Sequence, residues 1–385
     1  MSDQSTFSLL VAIRYFGWGG LGKLRLILDQ LPRARISLHG DPRIVGITKE
    51  LLSSRYRFSE YLPERSDVAL VINDRTAANN IADLDVPVVY VDSLPYVRVT
   101  DADIPALDKV AYYCAQKYPV ERLPLASSLL QKWPGIKWVD PIVPSSQSRS
   151  GGRGIVIHVG GLRNYVIRGV DSDSVDNAVE AYLNLVLFPL AGMLQAAGRK
   201  VSAVCGNLSP DSCRRIRTLL PECDAIGPQT PYAFERLLSD ADLLITSPGS
   251  TTILHAMAIN LPTLLLPPQN LSQTLNARLF SKPGADTMQW PASVLDGAKV
   301  EQLRSRGLSA VLPYIYQSIA NAAASQEAAN EIATVIRTAI NNAPADGVLN
   351  DCLPTLGVMG AAQVARLITQ TISAPHKLPH RTESR

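Results

Sequence analysis

The 385-residue chain has no Cys-x-x-Cys pair, and its five cysteines, Cys114, Cys205, Cys213, Cys223 and Cys352, are scattered and odd in number. That argues against a zinc site and a disulfide framework, and makes a reducing cytoplasm the expected compartment. Cys205, which ends an apolar run, reads as a buried structural thiol. Long hydrophobic runs are missing too. None reaches the roughly 18–20 residues of a spanning helix, so a soluble chain without membrane insertion is expected. The apolar start at Phe7–Ile13 follows Asp3 and meets Arg14 with no small-residue cleavage site, so it reads as a first strand rather than a signal peptide. Excess charge of one sign is also absent: a net charge of +3 argues against a nucleic-acid polymer as partner. No Asp-x-Asp cluster marks a metal-bridged diphosphate, since Asp171-x-Asp173 lies in a polar loop and reads equally as a helix cap. No metal is expected.

What the chain does have is alternation. Short β-branched runs at Ser8–Arg14, Ile36–His39, Val68–Ile72, Val88–Val91 and Lys109–Tyr113 are separated by helical stretches, notably Gly22–Leu31 and Ala77–Ala82. This is the pattern of βαβ units and a parallel sheet. Residues Ser145–Gly152 are small and polar and read as a flexible linker, with a boundary near Ser150. The pattern then restarts with strands at Gly154–Val159, Lys200–Cys205, Asp242–Thr246 and Thr263–Leu266. Helices are expected at Ala178–Ala197, Pro210–Leu220, Pro231–Ser239 and Thr251–Ile259. From Leu312 to Ile372 the tail is helical, with a break at Ala343–Gly347, and the last residues are polar. Two αβ halves suit a prior of about 100–200 residues per domain.

After the first strand comes Phe16-Gly17-Trp18-Gly19-Gly20-Leu21-Gly22-Lys23. Gly17, Gly19 and Gly22 satisfy G-x-G-x-x-G, and Asp41 stands near the end of the next strand, so an NAD(P)-dependent oxidoreductase is one reading. The same residues nearly make a P-loop, but Leu24 occupies the magnesium-binding Ser/Thr position, which argues against nucleotide hydrolysis. Either way, glycines bring the backbone close to a ligand and the helix start supplies amide donors. Lys23 lies in the first helical turn, where a cation is unfavourable unless an anion is near.

A denser signal runs from Asp240 to Asn276. A strand ends in Thr246-Ser247-Pro248-Gly249-Ser250 and a helix opens at Thr251, bunching hydroxyls and free amides where a diphosphate could sit. Ser250 alone could be an ordinary N-cap; the whole cluster says more.

The run Ser247–Asn276 resembles the donor half of GT-B fold glycosyltransferases, especially the UDP-N-acetylglucosamine transferases that make the peptidoglycan lipid intermediate. His158-Val159-Gly160-Gly161-Leu162-Arg163-Asn164 is similar to the glycine-rich turn opening their second domain. The resemblance implies an α/β fold of two Rossmann-like parallel-sheet domains facing a cleft. Residues 1–148 would hold the acceptor and 154–385 the donor, with C-terminal helices packing back on the first domain. It further implies that Ser247, Gly249, Ser250 and Thr251 cradle the UDP phosphates, and that Gln269, Asn270, Gln273 and Asn276 line the donor sugar, with Gly161 in the turn beside them. The family's ribose-binding Glu is His255 here, whose neutral ring still offers one donor and one acceptor.

First-half phrases, among them Phe16–Leu24, Val71-Ile72-Asn73-Asp74 and Tyr90-Val91-Asp92-Ser93-Leu94-Pro95-Tyr96, are similar to the cytosylglucuronate and hydroxymethylcytosylglucuronate synthases of nucleoside-antibiotic pathways. That narrower resemblance implies inverting transfer of a uronate from UDP-glucuronate, a co-substrate rather than a bound cofactor, to cytosine or hydroxymethylcytosine. A UDP-N-acetylglucosamine-type transferase with another acceptor is the alternative. Asp92 is the first candidate base because it ends an apolar strand, with Asp74 and His39 as rivals. Lys23 and Arg163, with Arg14 behind them, are candidates for the donor carboxylate. Phe16, Gly17, Trp18, Gly19, Asp74 and Tyr96 are expected around the acceptor, and Tyr15, Trp18 and Tyr96 could stack on a flat base.

Overall fold

Short apolar strands separated by helices build two parallel sheets in the computed structural model, which describes residues 6–14, 19–59, 66–97, 109–123, 135–144, 149–161, 172–285 and 287–373. The first half runs β1 (Phe7–Ile13), α1 (Gly19–Leu28), β2 (Ala34–His39), α2 (Pro42–Leu52), β3 (Val68–Ile72), α3 (Arg75–Ala82), β4 (Val88–Asp92), β5 (Tyr112–Gln116) and β6 (Ile136–Val139). The strand order is β2-β1-β3-β4-β5-β6, with every pair parallel. Strands β3 and β4 are buried along their whole length, as expected when both sheet faces are covered.

The second half runs β7 (Ile155–Val159), α4 (Ser172–Tyr182), a π turn (Leu183–Leu187), α5 (Phe188–Ala196), β8 (Val201–Gly206), α6 (Pro210–Leu219), β9 (Ala225–Gly227), α7 (Pro231–Asp240), β10 (Leu243–Thr246), α8 (Ser250–Ala258), β11 (Thr263–Leu265) and α9 (Leu271–Phe280). Its order is β11-β10-β7-β8-β9, again parallel. The expected single helix over 178–197 is instead two helices joined by the π turn. Pro189 sits in the first turn of α5 and has no N–H to return to the preceding turn, which accounts for the local widening. The run Asp173–Ala196 is long and apolar enough to cross a membrane, but 67% of its most apolar window is buried inside the fold, where it forms part of the second core.

Five helices follow: α10 (Gly297–Arg304), α11 (Leu308–Ala322), α12 (Gln326–Asn341), α13 (Leu353–Leu356) and α14 (Gly360–Ser373). The last returns to the first half. Ala361, Val364, Ala365 and Ile368 make one helical face and join the core of β1, β3 and β4. Asp140, just after β6, anchors this return: its N–H donates to Gln363 Oε1 at 2.7 Å, and its carboxylate accepts from Lys117 Nζ at 2.7 Å and Met359 N at 3.2 Å.

Of the expected linker, residues 145–148 lie outside the described residues. Residues 149–152 are tied to the second half: Ser150 N–H donates to Ser239 O at 2.9 Å and Gly152 N–H to Asp242 at 2.6 Å.

The topology fixes where a site can form. In the first sheet the chain leaves β1 in one direction to β2 and in the other to β3, and in the second it does the same around β7, between β8 and β10. Crevices open at the carboxyl ends of strands where the order reverses in this way. Both switch points open on one cleft.

Candidate active site

The cleft between the halves is lined from the first half by Gly19–Gly22, Arg25, Asn73, Ser93, Leu94 and Pro144. From the second half it is lined by His158, Gly160, Gly161, Phe234, Glu235, Gly249–Thr252, His255, Asn270, Gln273 and Asn276. Asn207, Gln229 and Pro231 also line it.

On the second side, α8 begins at Ser250 after Gly249, and no side chain caps it. Its neighbours α7 and α9 are capped by Thr230 and Asn270. The uncapped amides of α8, with the hydroxyls of Ser250, Thr251 and Thr252, therefore face the cleft as a group of donors with partial positive charge. Thr251 Oγ1 also donates to Gly19 O at 3.2 Å, so the starts of α1 and α8 meet across the cleft. A Cβ at Gly19 would stand 2.9 Å from Thr251 Oγ1, which shows how close that approach is.

Beside them, Gln273 Nε2 donates to Gly160 O at 2.8 Å and Asn276 Nδ2 to Pro248 O at 2.7 Å. Gly161 has φ +82°, and a Cβ there would lie 2.7 Å from Gln273 Nε2. Only glycine fits that turn without moving Gln273. Ser247 and Gln269 do not line the cleft; Gln269 Nε2 donates to Ser247 Oγ at 2.7 Å in a buried layer behind the β10–α8 turn. His158, at the end of β7, contacts Thr246 Oγ1 through Nδ1 at 3.0 Å and packs on Phe234; desolvation lowers its pKa to about 4. Burial, with help from the Arg25 charge, also brings His255 to about 4, so both rings are neutral near pH 7.

On the first side the geometry corrects several expectations by one residue. Asp92 is completely buried and points away from the cleft, accepting from Tyr113 OH at 2.6 Å and Leu94 N at 3.1 Å. Asp74 caps α3, accepting from Ala77 N at 3.0 Å, and does not line the cleft. Their neighbours Asn73 and Ser93 do. Asn73 Nδ2 donates to Ser93 Oγ, and Ser93 N–H returns to Asn73 Oδ1, both at 2.9 Å. Asn73 adopts φ 59°, a left-handed turn that Asn tolerates and that swings its amide to the strand end.

Lys23 is likewise not on the cleft. It is 1% exposed and donates to Gln116 Oε1 at 2.7 Å, and burial lowers its pKa to about 7. Tyr96 is buried at the joint, donating to Asn276 Oδ1, while Arg304 Nη2 donates to the Tyr96 carbonyl at 3.1 Å. Asp41, the acid of the nicotinamide reading, caps α2 and pairs with Arg43, whose guanidinium lowers its pKa, and it lies off the cleft. Tyr15, Phe16, Gly17, Trp18, Arg163 and Asp171 lie outside the described residues.

Arg25 and Glu235 are the charged groups of the described lining, and nothing in the sequence pairs them: 210 positions separate them and only the fold brings them together.

Two Rossmann-like parallel sheets, with switch points opposed across a cleft and a ligand-facing helix start on the second, make the GT-B fold. It belongs to the family of CGA synthase-related proteins, whose model matches residues 33–304. Solved structures of similar architecture include Arabidopsis thaliana UGT89C1, with 12% identity and a TM-score of 0.49 over 96% of this chain and 100% of that one. A UDP-glucosyltransferase from Polygonum tinctorium has 15% identity and a TM-score of 0.47, over 86% and 100%. Acinetobacter baumannii MurG has 13% identity and a TM-score of 0.42, over 94% and 99%. No curated protein matches the chain in sequence.

Proposed function

We propose that the chain transfers a uronate from UDP-glucuronate to a ring nitrogen of cytosine or hydroxymethylcytosine, with inversion at the sugar carbon. The observation that carries the donor half of this reading is the uncapped start of α8 opening on the cleft beside Gln273 and Asn276. Preorganised amides and hydroxyls there would meet the charge that develops on the departing diphosphate, in a site partly closed to water. The nucleotide sugar is a co-substrate in this scheme.

In the reaction, the ring nitrogen forms a bond to the anomeric carbon and the bond from that carbon to the phosphate oxygen breaks. The diphosphate leaves with the electron pair as UDP, and the ring N–H proton passes to water. Attack from the face opposite the diphosphate gives inversion. Asn73 and Ser93 support a planar acceptor: Ser93 Oγ already accepts from Asn73, so its own proton is free to donate to a base carbonyl. In this reading Gly249, Ser250 and Thr251 hold the diphosphate, and Gly161, Asn270, Gln273 and Asn276 surround the sugar. Arg163 remains the candidate for its carboxylate, whereas Lys23 and Asp92 belong to the support of the first half.

Incubation of the purified protein with UDP-glucuronate and cytosine, followed by mass spectrometry, tests the assignment. A cytosylglucuronate product with UDP release is expected, and UDP-N-acetylglucosamine should be the poorer donor. Product from UDP-N-acetylglucosamine but not from UDP-glucuronate would remove the uronate.

A further inference from the structure

Three cleft-lining stretches of the first half converge on one buried amide. Gln116 ends β5 and is 2% exposed. Its Oε1 accepts from Lys23 Nζ at 2.7 Å and from the Ile142 N–H at 3.2 Å, while its Nε2 donates to the Ser93 carbonyl at 3.4 Å. Lys23 directly follows the cleft-lining Gly19–Gly22, Ser93 lines the cleft itself, and Ile142 stands just before the stretch that reaches the cleft at Pro144. A flip of the amide would set donors against donors at Lys23 and Ile142 and oxygen against oxygen at Ser93, so its orientation is fixed.

What this amide holds is the floor offered to the acceptor. Besides the bond from Gln116 to its carbonyl, Ser93 donates its N–H to Asn73 Oδ1, and its hydroxyl accepts from Asn73 Nδ2. Asn73 has its own N–H on Val91 O at 2.9 Å and stands at φ 59°, a conformation that persists where the surroundings determine it. Lys23, Gln116, Ser93 and Asn73 thus form one buried chain of hydrogen bonds that ends on the cleft. Its far end is costly. Lys23 has no ion-pair partner among the described residues, and one bond to a neutral amide compensates poorly for a buried cation in the first turn of a helix. Methionine, of similar length, would pack there without that cost. Local rules of folding are broken chiefly at sites of function.

We propose that Gln116 is a positioning residue for the acceptor, and that the Lys23 ammonium, by holding the Gln116 carbonyl, fixes where Ser93 and Asn73 stand in the cleft. The proposal rests on the reading of Ser93 and Asn73 as the acceptor floor. It separates the two substrates, because the start of α8 belongs to the second half and lies outside this chain of bonds. A flat acceptor must present its ring nitrogen in line with the anomeric carbon, and a misplacement of about 1 Å can cost on the order of a hundredfold in rate.

Steady-state kinetics with UDP-glucuronate and cytosine, together with calorimetric titration of UDP, test it on the full chain and on Gln116→Glu and Lys23→Met. Gln116→Glu keeps an acceptor for Lys23 and for the Ile142 N–H but sets an oxygen against the Ser93 carbonyl. Its KM for cytosine is expected to rise about tenfold or more, and that of Lys23→Met about threefold, with the KM for UDP-glucuronate and the affinity for UDP within about twofold of the unaltered protein. Lys23→Met is expected to do this while resisting denaturant better, a combination that a merely structural role does not give. It decides the matter even if Gln116→Glu fails to fold. An unchanged KM for cytosine in Lys23→Met, or an equal loss of UDP affinity, overturns the assignment and leaves the transferase reading standing. No product from cytosine and UDP-glucuronate with the unaltered protein overturns both.

Discussion

Lys23 shows what a single buried cation costs the fold. Burial lowers its pKa from 10.5 to about 7, so in the folded state it sheds its proton above about 7, while the unfolded chain keeps that proton up to about 10.5. Between those values the unfolded state binds more protons, and stability contributed by this group rises with pH. Below pH 7 the cost of burying the charge is felt in full. Lys23→Met, which leaves Gln116 Oε1 the Ile142 N–H at 3.2 Å, is therefore expected to stabilise the protein, and by more at pH 6 than at pH 10. Denaturant unfolding of both proteins across that range checks it; parallel stability curves would mean that Lys23 is protonated as easily in the folded chain as in the unfolded one. The same residue marks a limit of reading sequence. A lysine in the first turn of a helix after a glycine loop is legible as a ligand group, but its partner Gln116 lies 93 positions away and turns it inward. Asp92 and Asp74 fail for a subtler reason. Each lies one position from a cleft residue: Asp92, the last residue of β4, turns into the core beside Ser93, and Asp74, just after the left-handed Asn73, turns back to cap α3.

Among elements, α8 carries the strongest prediction. Replacing Ser250 and Thr251 together with Ala should weaken UDP binding by about 1–3 kcal/mol, since hydroxyl donors are lost while the main-chain amides stay. The Thr251 contact with Gly19 O goes too, so part of the loss reflects the joint between α1 and α8. Equal UDP affinity in a folded double variant would remove these side chains from the donor site. The start of α8 was readable because everything that makes it is local: a strand end, a glycine and a run of hydroxyl residues. Elements whose pattern depends on distant partners were not. Strand β5 lies at Tyr112–Gln116 rather than Lys109–Tyr113 because it ends in a buried Gln116 whose partners, Lys23, Ile142 and Ser93, are all distant in sequence. Strand β6 is a four-residue edge with Lys137 exposed, and β9 has three residues, both too short to show a period.

For the whole molecule, α14 determines which stretches of chain make one core. Its apolar face lies on α1, β3 and β4, more than two hundred residues back along the chain. Val364 and Ile368 are fully buried there, each worth about 1.5–3 kcal/mol of removed apolar surface. Ile368→Ala should cost about 2–5 kcal/mol. Hydrogen exchange should show the loss first in β1, β3 and β4 rather than in the second sheet; equal loss in both sheets would mean that the halves unfold only together.

During synthesis the first half leaves the ribosome long before the helix that finishes its core. Its sheet must wait, with the face that α14 will cover still open, while the whole second half is made and folds. Domains usually fold in the order in which they emerge, and exposed apolar surface in a waiting intermediate invites aggregation. Here the order is inverted: the second half can complete itself first, and the half that was made first is completed last.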